Sequence, residues 1–133
     1  MIKGEFEMEE KEFIWGVATA ATQIEGACDQ DGKSETVWDM MSKDGSYIVD
    51  GHTVDSADDS YNRFDEDLEL LKKLGVSAYR FSLSWARIIK DGDGEINQKG
   101  LDYYSKLVDK LYENEQNLLP SLQTQEVDIS DDE

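Results

Sequence analysis

Of 133 residues, one is cysteine, one is histidine and only 13 are Lys or Arg. The lone Cys28 can form neither an internal disulfide nor a cysteine-based metal cluster. No histidine lies near it in sequence, so it reads as a small buried or half-buried residue rather than a nucleophile. Any Ser-His or Cys-His catalysis would have to run through His52, and no motif around that residue supports it. The 13 bases face 31 acids, a net charge of −18. Such a chain repels nucleic acid and anionic membrane surfaces, so neither is expected as a partner. The same charge reads as a solvated, soluble surface. No stretch is long and apolar enough to span a bilayer. The start, MIKGEFEMEEKEF, has no apolar run after a basic segment, so no signal peptide is expected. If that start is genuine, the expected location is cytoplasmic. No cofactor and no metal is expected.

Apolar residues make up 38% and aromatics 10%, enough for one core. Residues 1–12, of which five are Glu, read as an exposed acidic leader. Phe13 to Ala20 is a short run of aromatic, β-branched and small residues. It predicts a strand buried on both faces that opens into a small-residue turn. Residues 29–60 hold three Asp-Gly turn signals, which predict a long loop with one short helix around Val37–Met40. Phe64, Leu68 and Leu71 then recur at helical spacing, widened by Leu70 and Leu74. Ser60 or Asp58 is positioned to cap this helix, and Gly75 to stop it.

From Val76 to Leu83 the pattern alternates. Tyr79, Phe81 and Leu83 share one face of a strand; Ala78, Arg80 and Ser82 share the other. Asn97 is placed to cap a second helix with Leu101, Tyr104, Leu107, Val108 and Leu111 on its apolar side. A weak third strand is expected near Leu118–Leu122, and residues 115–133 read as a divergent, disordered acidic tail. Strands alternating with helices predict a parallel α/β sheet, with the helices on one side of it.

Four collinear motifs carry a more specific signal. They are Phe13 to Ala27, Thr36 to Asp39, Asp58 to Asp67 with Leu74 to Val76, and Ala78 to Ile88 continued by Asn97 to Tyr104. Over residues 13–114 this text closely resembles the N-terminal part of glycoside hydrolase family 1, the β-glucosidase family. The resemblance implies the first two to three β/α units of a (β/α)8 TIM barrel, with the active site at the carboxyl ends of the strands. It implies hydrolysis of O-glycosidic bonds by a retaining mechanism, with two glutamates about 5–5.5 Å apart as acid/base and nucleophile. Both glutamates belong to later strands, outside these 133 residues. The chain is therefore expected to be inactive alone, with a β-glycoside or sugar as partner only if the site were complete.

The resemblance carries two residues over. Gln23 matches a glutamine that hydrogen-bonds sugar hydroxyls, a task an amide suits because it both donates and accepts. Outside the motif, Gln23 would read as a packed glutamine bonded to backbone. An aromatic residue usually precedes that glutamine, and here the position is Thr22. Arg80 matches an arginine that supports the nucleophilic glutamate. A guanidinium buried without a carboxylate is costly, so in an open sheet Arg80 is expected to be exposed or locally paired. Glu25 is expected to be structural rather than catalytic. Trp15, Trp38 and Trp85 could stack on sugars, but core packing is the stronger expectation. The Asp-rich stretch 55–67 lacks the ligand alternation of a calcium loop. An alternative to the glycosidase reading is a catalytically dead sugar-binding or interaction module built on Gln23 and the acidic tail. Two or three strands cannot close into a barrel, so marginal stability or self-association through the unclosed sheet is also expected.

Overall fold

The computed structural model describes residues 13–113 and the backbone of 117–123. The acidic leader 1–12 and residues 115–116 and 124–133 of the expected tail lie outside the described residues. In chain order the elements are β1 (Gly16–Ala18), α1 (Ala21–Ile24), α2 (Val37–Asp44), α3 (Ser60–Leu74), β2 (Ala78–Ser84), α4 (Trp85–Ile88), α5 (Gln98–Glu113) and β3 (Asn117–Gln123). Single 3₁₀ turns lie at Val49–Gly51 and Lys90–Gly92. The sheet order is β1-β2-β3, and both pairings are parallel. This is the α/β arrangement expected, with the third strand present and the sheet unclosed.

The core forms where α3 and α5 pack on one face of β2. Phe64, Leu68 and Leu71 of α3 meet Tyr79 and Phe81 of β2 and Tyr104, Leu107 and Leu111 of α5. Leu111 is fully buried and Phe81 is 3% exposed. A buried Leu or Phe stabilises the fold by roughly 1.5–3 kcal/mol relative to leaving it in water. The helix stripes are narrower than the sequence suggests. Leu70, Leu74 and Leu101 are all exposed, because two helices facing one strand bury only the positions aimed at it.

Local chemistry sets the helix ends. At α2, Thr36 Oγ1 accepts from Asp39 N–H at 3.2 Å and Asp39 Oδ2 accepts from Thr36 N–H at 2.7 Å, a reciprocal cap. At α3 neither Ser60 nor Asp58 caps. Asp59 holds the cap position in the left-handed region, and the Ser60 hydroxyl donates to Asp67 at 2.6 Å instead. Gly75 ends that helix in the left-handed region, as expected. Asn97 precedes α5, and its carbonyl accepts the first helical bond from Leu101 N–H at 3.1 Å. Its side-chain nitrogen donates instead to Asp31 O and Arg87 O.

The first strand departs from expectation. It is three residues long, lies at the sheet edge and is not buried on both faces. Phe13, Ile14 and Trp15 before it are 70%, 62% and 71% exposed. Among the described residues only β2 pairs with it, so nothing covers its outer side. The tryptophans do not pack in the core either: Trp15 and Trp38 are exposed and Trp85 is half-buried.

Candidate active-site face

The chain leaves β1 and β2 at the same end of the sheet. There the turn into α1 is pinned to β2 by three bonds. Thr19 N–H donates to Arg80 O at 2.9 Å, and Ala21 N–H donates to the buried Ser82 hydroxyl at 2.8 Å. The Thr19 and Tyr79 hydroxyls lie 2.7 Å apart. These bonds seat α1 against β2. Gln23 sits on α1 and is exposed. Arg80 sits on the small-residue face, exposed, with no ion pair among the described residues. Both expected site residues are thus exposed.

Two residues beyond Gln23, the chain turns inward. Glu25 is 5% exposed and Arg87, at the end of α4, is 0% exposed. Arg87 Nε donates to Glu25 Oε2 at 3.0 Å, and Nη2 donates to Gly26 O at 3.1 Å. The Tyr104 hydroxyl donates to Glu25 Oε1 at 2.5 Å and accepts from Ser84 N–H at 2.8 Å. The guanidinium lies 4.0 Å from the Tyr61 ring centroid, a cation–π contact. Burial opposes the charge on Arg87, but Glu25 more than restores it and the guanidinium stays protonated. Burial, reinforced by the Glu25 carboxylate, pushes the Tyr104 phenol far up, so it stays a donor. Glu25 is therefore structural, as expected. It ties the loop bearing Gln23 to the exit of β2 and to α5.

Two close approaches tighten this junction. A Cβ on Gly100 would fall 1.9 Å from Arg87 O, so only glycine lets α5 reach that backbone. Gly26 has φ +62°, and a Cβ there would meet Ser56 O at 2.1 Å.

A second buried cluster lies at the start of α2. Cys28 Sγ donates to Asp39 Oδ1 at 3.0 Å, and Lys33 Nζ donates to Asp39 Oδ2 at 2.6 Å. Burial alone would raise the Asp39 pKa, but the bonds from Cys28, Lys33 and Thr36 outweigh it and hold the carboxyl at about 2. Burial and the Asp39 contact push the Cys28 thiol up to about 12, which leaves it protonated and unreactive. Cys28, Asp39 and Asp55 could bring ligand atoms within 4.8 Å of one another. The Lys33 ammonium already supplies the positive charge there, so the cluster is a satisfied ion pair rather than a metal centre. His52 is exposed.

Beside α1 lies a cleft of about 210 Å³. Thr22, Val37, Met40, Ser84, Trp85 and Ala86 supply most of its wall, with Glu35 and Asp91 also lining it. The Trp85 indole N–H donates to Gly92 O at 2.7 Å, which fixes the ring. Ser34 N–H donates to Ala86 O at 2.8 Å, and Asp91 N–H donates to the Ser34 hydroxyl at 2.8 Å. The sequence had no signal for this cleft, or for the pairing of Glu25 with Arg87, 62 positions apart.

Comparison with known proteins gives one consistent result. The profile of the family described as Glycosyl hydrolase family 1 matches residues 6–123. β-Glucosidase A of Acetivibrio thermocellus is 54% identical over 104 residues, 78% of this chain and 23% of the relative. The β-glucosidase of an Agrobacterium species is 52% identical over 98 residues, 74% of this chain and 21% of the relative. Among solved structures, virulence factor SghA of Agrobacterium tumefaciens with its substrate analog salicin superposes with TM-score 0.82 at 46% identity. That match covers 84% of this chain and 25% of SghA. The Thermotoga maritima β-glucosidase in complex with castanospermine gives TM-score 0.81 at 46% identity, over 84% and 26% of the two chains. The chain thus spans about a quarter of the length of its relatives.

Proposed function

The chain belongs to glycosyl hydrolase family 1, and from that membership we propose that it supplies the sugar-recognising first quarter of a retaining β-glycosidase site without the groups that break the bond. Gln23 binds sugar hydroxyls, and Arg80 supports a nucleophilic carboxylate carried by later strands. The observation that carries this reading is the state of those two side chains. Both are exposed, and neither side chain is spent on an internal partner among the described residues. A polar side chain left uncommitted at the surface is available to a ligand. The ligand class is a glycoside, in line with salicin on SghA and castanospermine on the Thermotoga enzyme.

The two catalytic glutamates of the family mechanism have no counterpart in these 133 residues, so the chain alone has no turnover. Purified chain incubated with an aryl β-glucoside should release no phenol above the buffer rate. Titration with methyl β-glucoside should shift the Gln23 side-chain amide resonances, and Gln23→Ala should remove the response. Measurable hydrolysis contradicts the first half of the reading. A flat titration contradicts the second.

A further inference from the structure

Five Asp-Gly pairs punctuate the chain: Asp31–Gly32, Asp44–Gly45, Asp50–Gly51, Asp91–Gly92 and Asp93–Gly94. In such a pair the backbone nitrogen of the glycine can reach the preceding side-chain carboxyl, because glycine has no side chain to block the approach. The approach requires the peptide plane between the two residues to rotate, so bonds to either residue oppose it. All but one of the pairs are held. The Asp31 carboxylate accepts from the Tyr61 hydroxyl at 2.8 Å and from Lys99 Nζ at 3.2 Å, and its carbonyl accepts from Asn97 Nδ2 at 2.7 Å. Asp44 is the last residue of α2, in helical backbone. Asp91 N–H donates to the Ser34 hydroxyl at 2.8 Å, and Gly92 O accepts from the Trp85 indole at 2.7 Å. Gly94 N–H donates to Lys90 O at 2.7 Å, and a Cβ there would lie 2.5 Å from that same oxygen.

Asp50–Gly51 differs. It lies in the 3₁₀ turn at Val49–Gly51, exposed, and the Asp50 carboxylate has no hydrogen bond or ion pair among the described residues. Asp50 sits in the left-handed region at φ 62°, which costs a non-glycine residue free energy and favours its departure. The Gly51 N–H meets Ile48 O at 3.3 Å, longer than a strong N–H···O bond. The space around Gly51 is open, since a Cβ there would meet no atom within 4 Å. We propose that Asp50–Gly51 is a modification site, at which the folded chain converts spontaneously to isoaspartate while its other Asp-Gly pairs resist. The Gly51 nitrogen attacks the Asp50 side-chain carboxyl carbon. A C–N bond forms, a C–O bond breaks, and the hydroxyl leaves with the amide proton as water. The cyclic imide then takes up a water at either carbonyl. One opening restores aspartate, and the other routes the main chain through the side-chain carboxyl. The product has the mass of the starting chain, and no oxidant, cofactor or enzyme is required. It carries a free α-carboxylate, the group that an isoaspartate-specific protein methyltransferase takes as substrate.

The test ages the full chain in neutral buffer. Isoaspartate is located by electron-transfer fragmentation of the peptides and counted by enzymatic methyl transfer from S-adenosylmethionine. A parallel sample is aged in denaturant, where every Asp-Gly pair is free to rotate and all should react at similar rates. In the folded chain isoaspartate should appear first at Asp50, about tenfold ahead of any held pair, because each bond that must open lowers the reactive population. Asp50→Glu, whose longer side chain closes the ring far more slowly, should remove most of the methyl acceptance and leave the thermal transition unchanged. Isoaspartate that appears first at Asp31, Asp44, Asp91 or Asp93 overturns the inference. Equal rates at all the pairs in the folded chain overturn it as well. So does an unmodified Asp50 in a folded sample whose denatured counterpart reacts, or methyl acceptance undiminished in Asp50→Glu.

Discussion

Arg80 and Arg87 lie seven positions apart and meet opposite fates. Arg87 is 0% exposed, bonded to Glu25 and Gly26 and stacked on Tyr61. Arg80 is exposed, with no ion pair among the described residues. The same contrast divides the whole sheet. Its helix-covered side is complete within this chain, with Tyr79 and Phe81 at 4% and 3% exposure. On its other side Arg80 is exposed, and among the described residues β1 pairs only with β2. The difference separates side chains bonded within this chain from exposed side chains that, on the proposed reading, are left for a ligand.

Substitutions on the two sides should therefore differ sharply in cost. Glu25→Ala strands a buried guanidinium and should destabilise the chain by about 3–5 kcal/mol in chemical denaturation. Phe81→Ala opens a cavity under α3 and α5 and should also cost about 3–5 kcal/mol. Arg80→Ala should change stability by no more than about 0.5 kcal/mol. If Arg80→Ala proves as costly as Glu25→Ala, the division between the two sides is wrong.

An acid titration sharpens the comparison at an intermediate size. The Asp39 carboxyl is held at about 2 in the fold against 3.8 for the free group. A depressed acid pKa contributes stability above the unfolded value and loses it as pH falls through the folded one. About 2 kcal/mol should therefore disappear between about pH 4 and pH 2, and Asp39→Asn should flatten that part of the profile. The smallest effect concerns association. The exposed Phe13–Trp15 segment and the unclosed edge at β1 should give weak, concentration-dependent self-association in sedimentation. Ile14→Lys should reduce it with little change in the stability of the monomer.

Much of the fold was readable because it is local. Helical spacing at Phe64, Leu68 and Leu71, the stop at Gly75 and the alternation from Ala78 to Leu83 each reflect geometry within a few residues. Burial was less readable, because it depends on what stands opposite. Trp15 and Leu70 carry apolar side chains, yet both are exposed among the described residues. The same limit applies to the Glu25–Arg87 pair, where each residue is visible in its motif but the contact joins distant positions. The proposed roles of Gln23 and Arg80 rest on the family motifs alone, since neither an exposed amide nor an exposed guanidinium has a periodic signature. The cleft at Trp85 was not legible at all, being enclosed by three separate segments.

The division between fold-holding and ligand-holding residues is tested most directly by grafting. Residues 13–113 of this chain would replace the matching segment of Acetivibrio thermocellus β-glucosidase A, and kcat/KM for an aryl β-glucoside would be measured with and without Gln23→Ala. The graft should hydrolyse the glucoside, and Gln23→Ala should lower kcat/KM by about a hundredfold while leaving the thermal transition unchanged. A folded graft with no activity, or one whose activity ignores Gln23→Ala, would contradict the account.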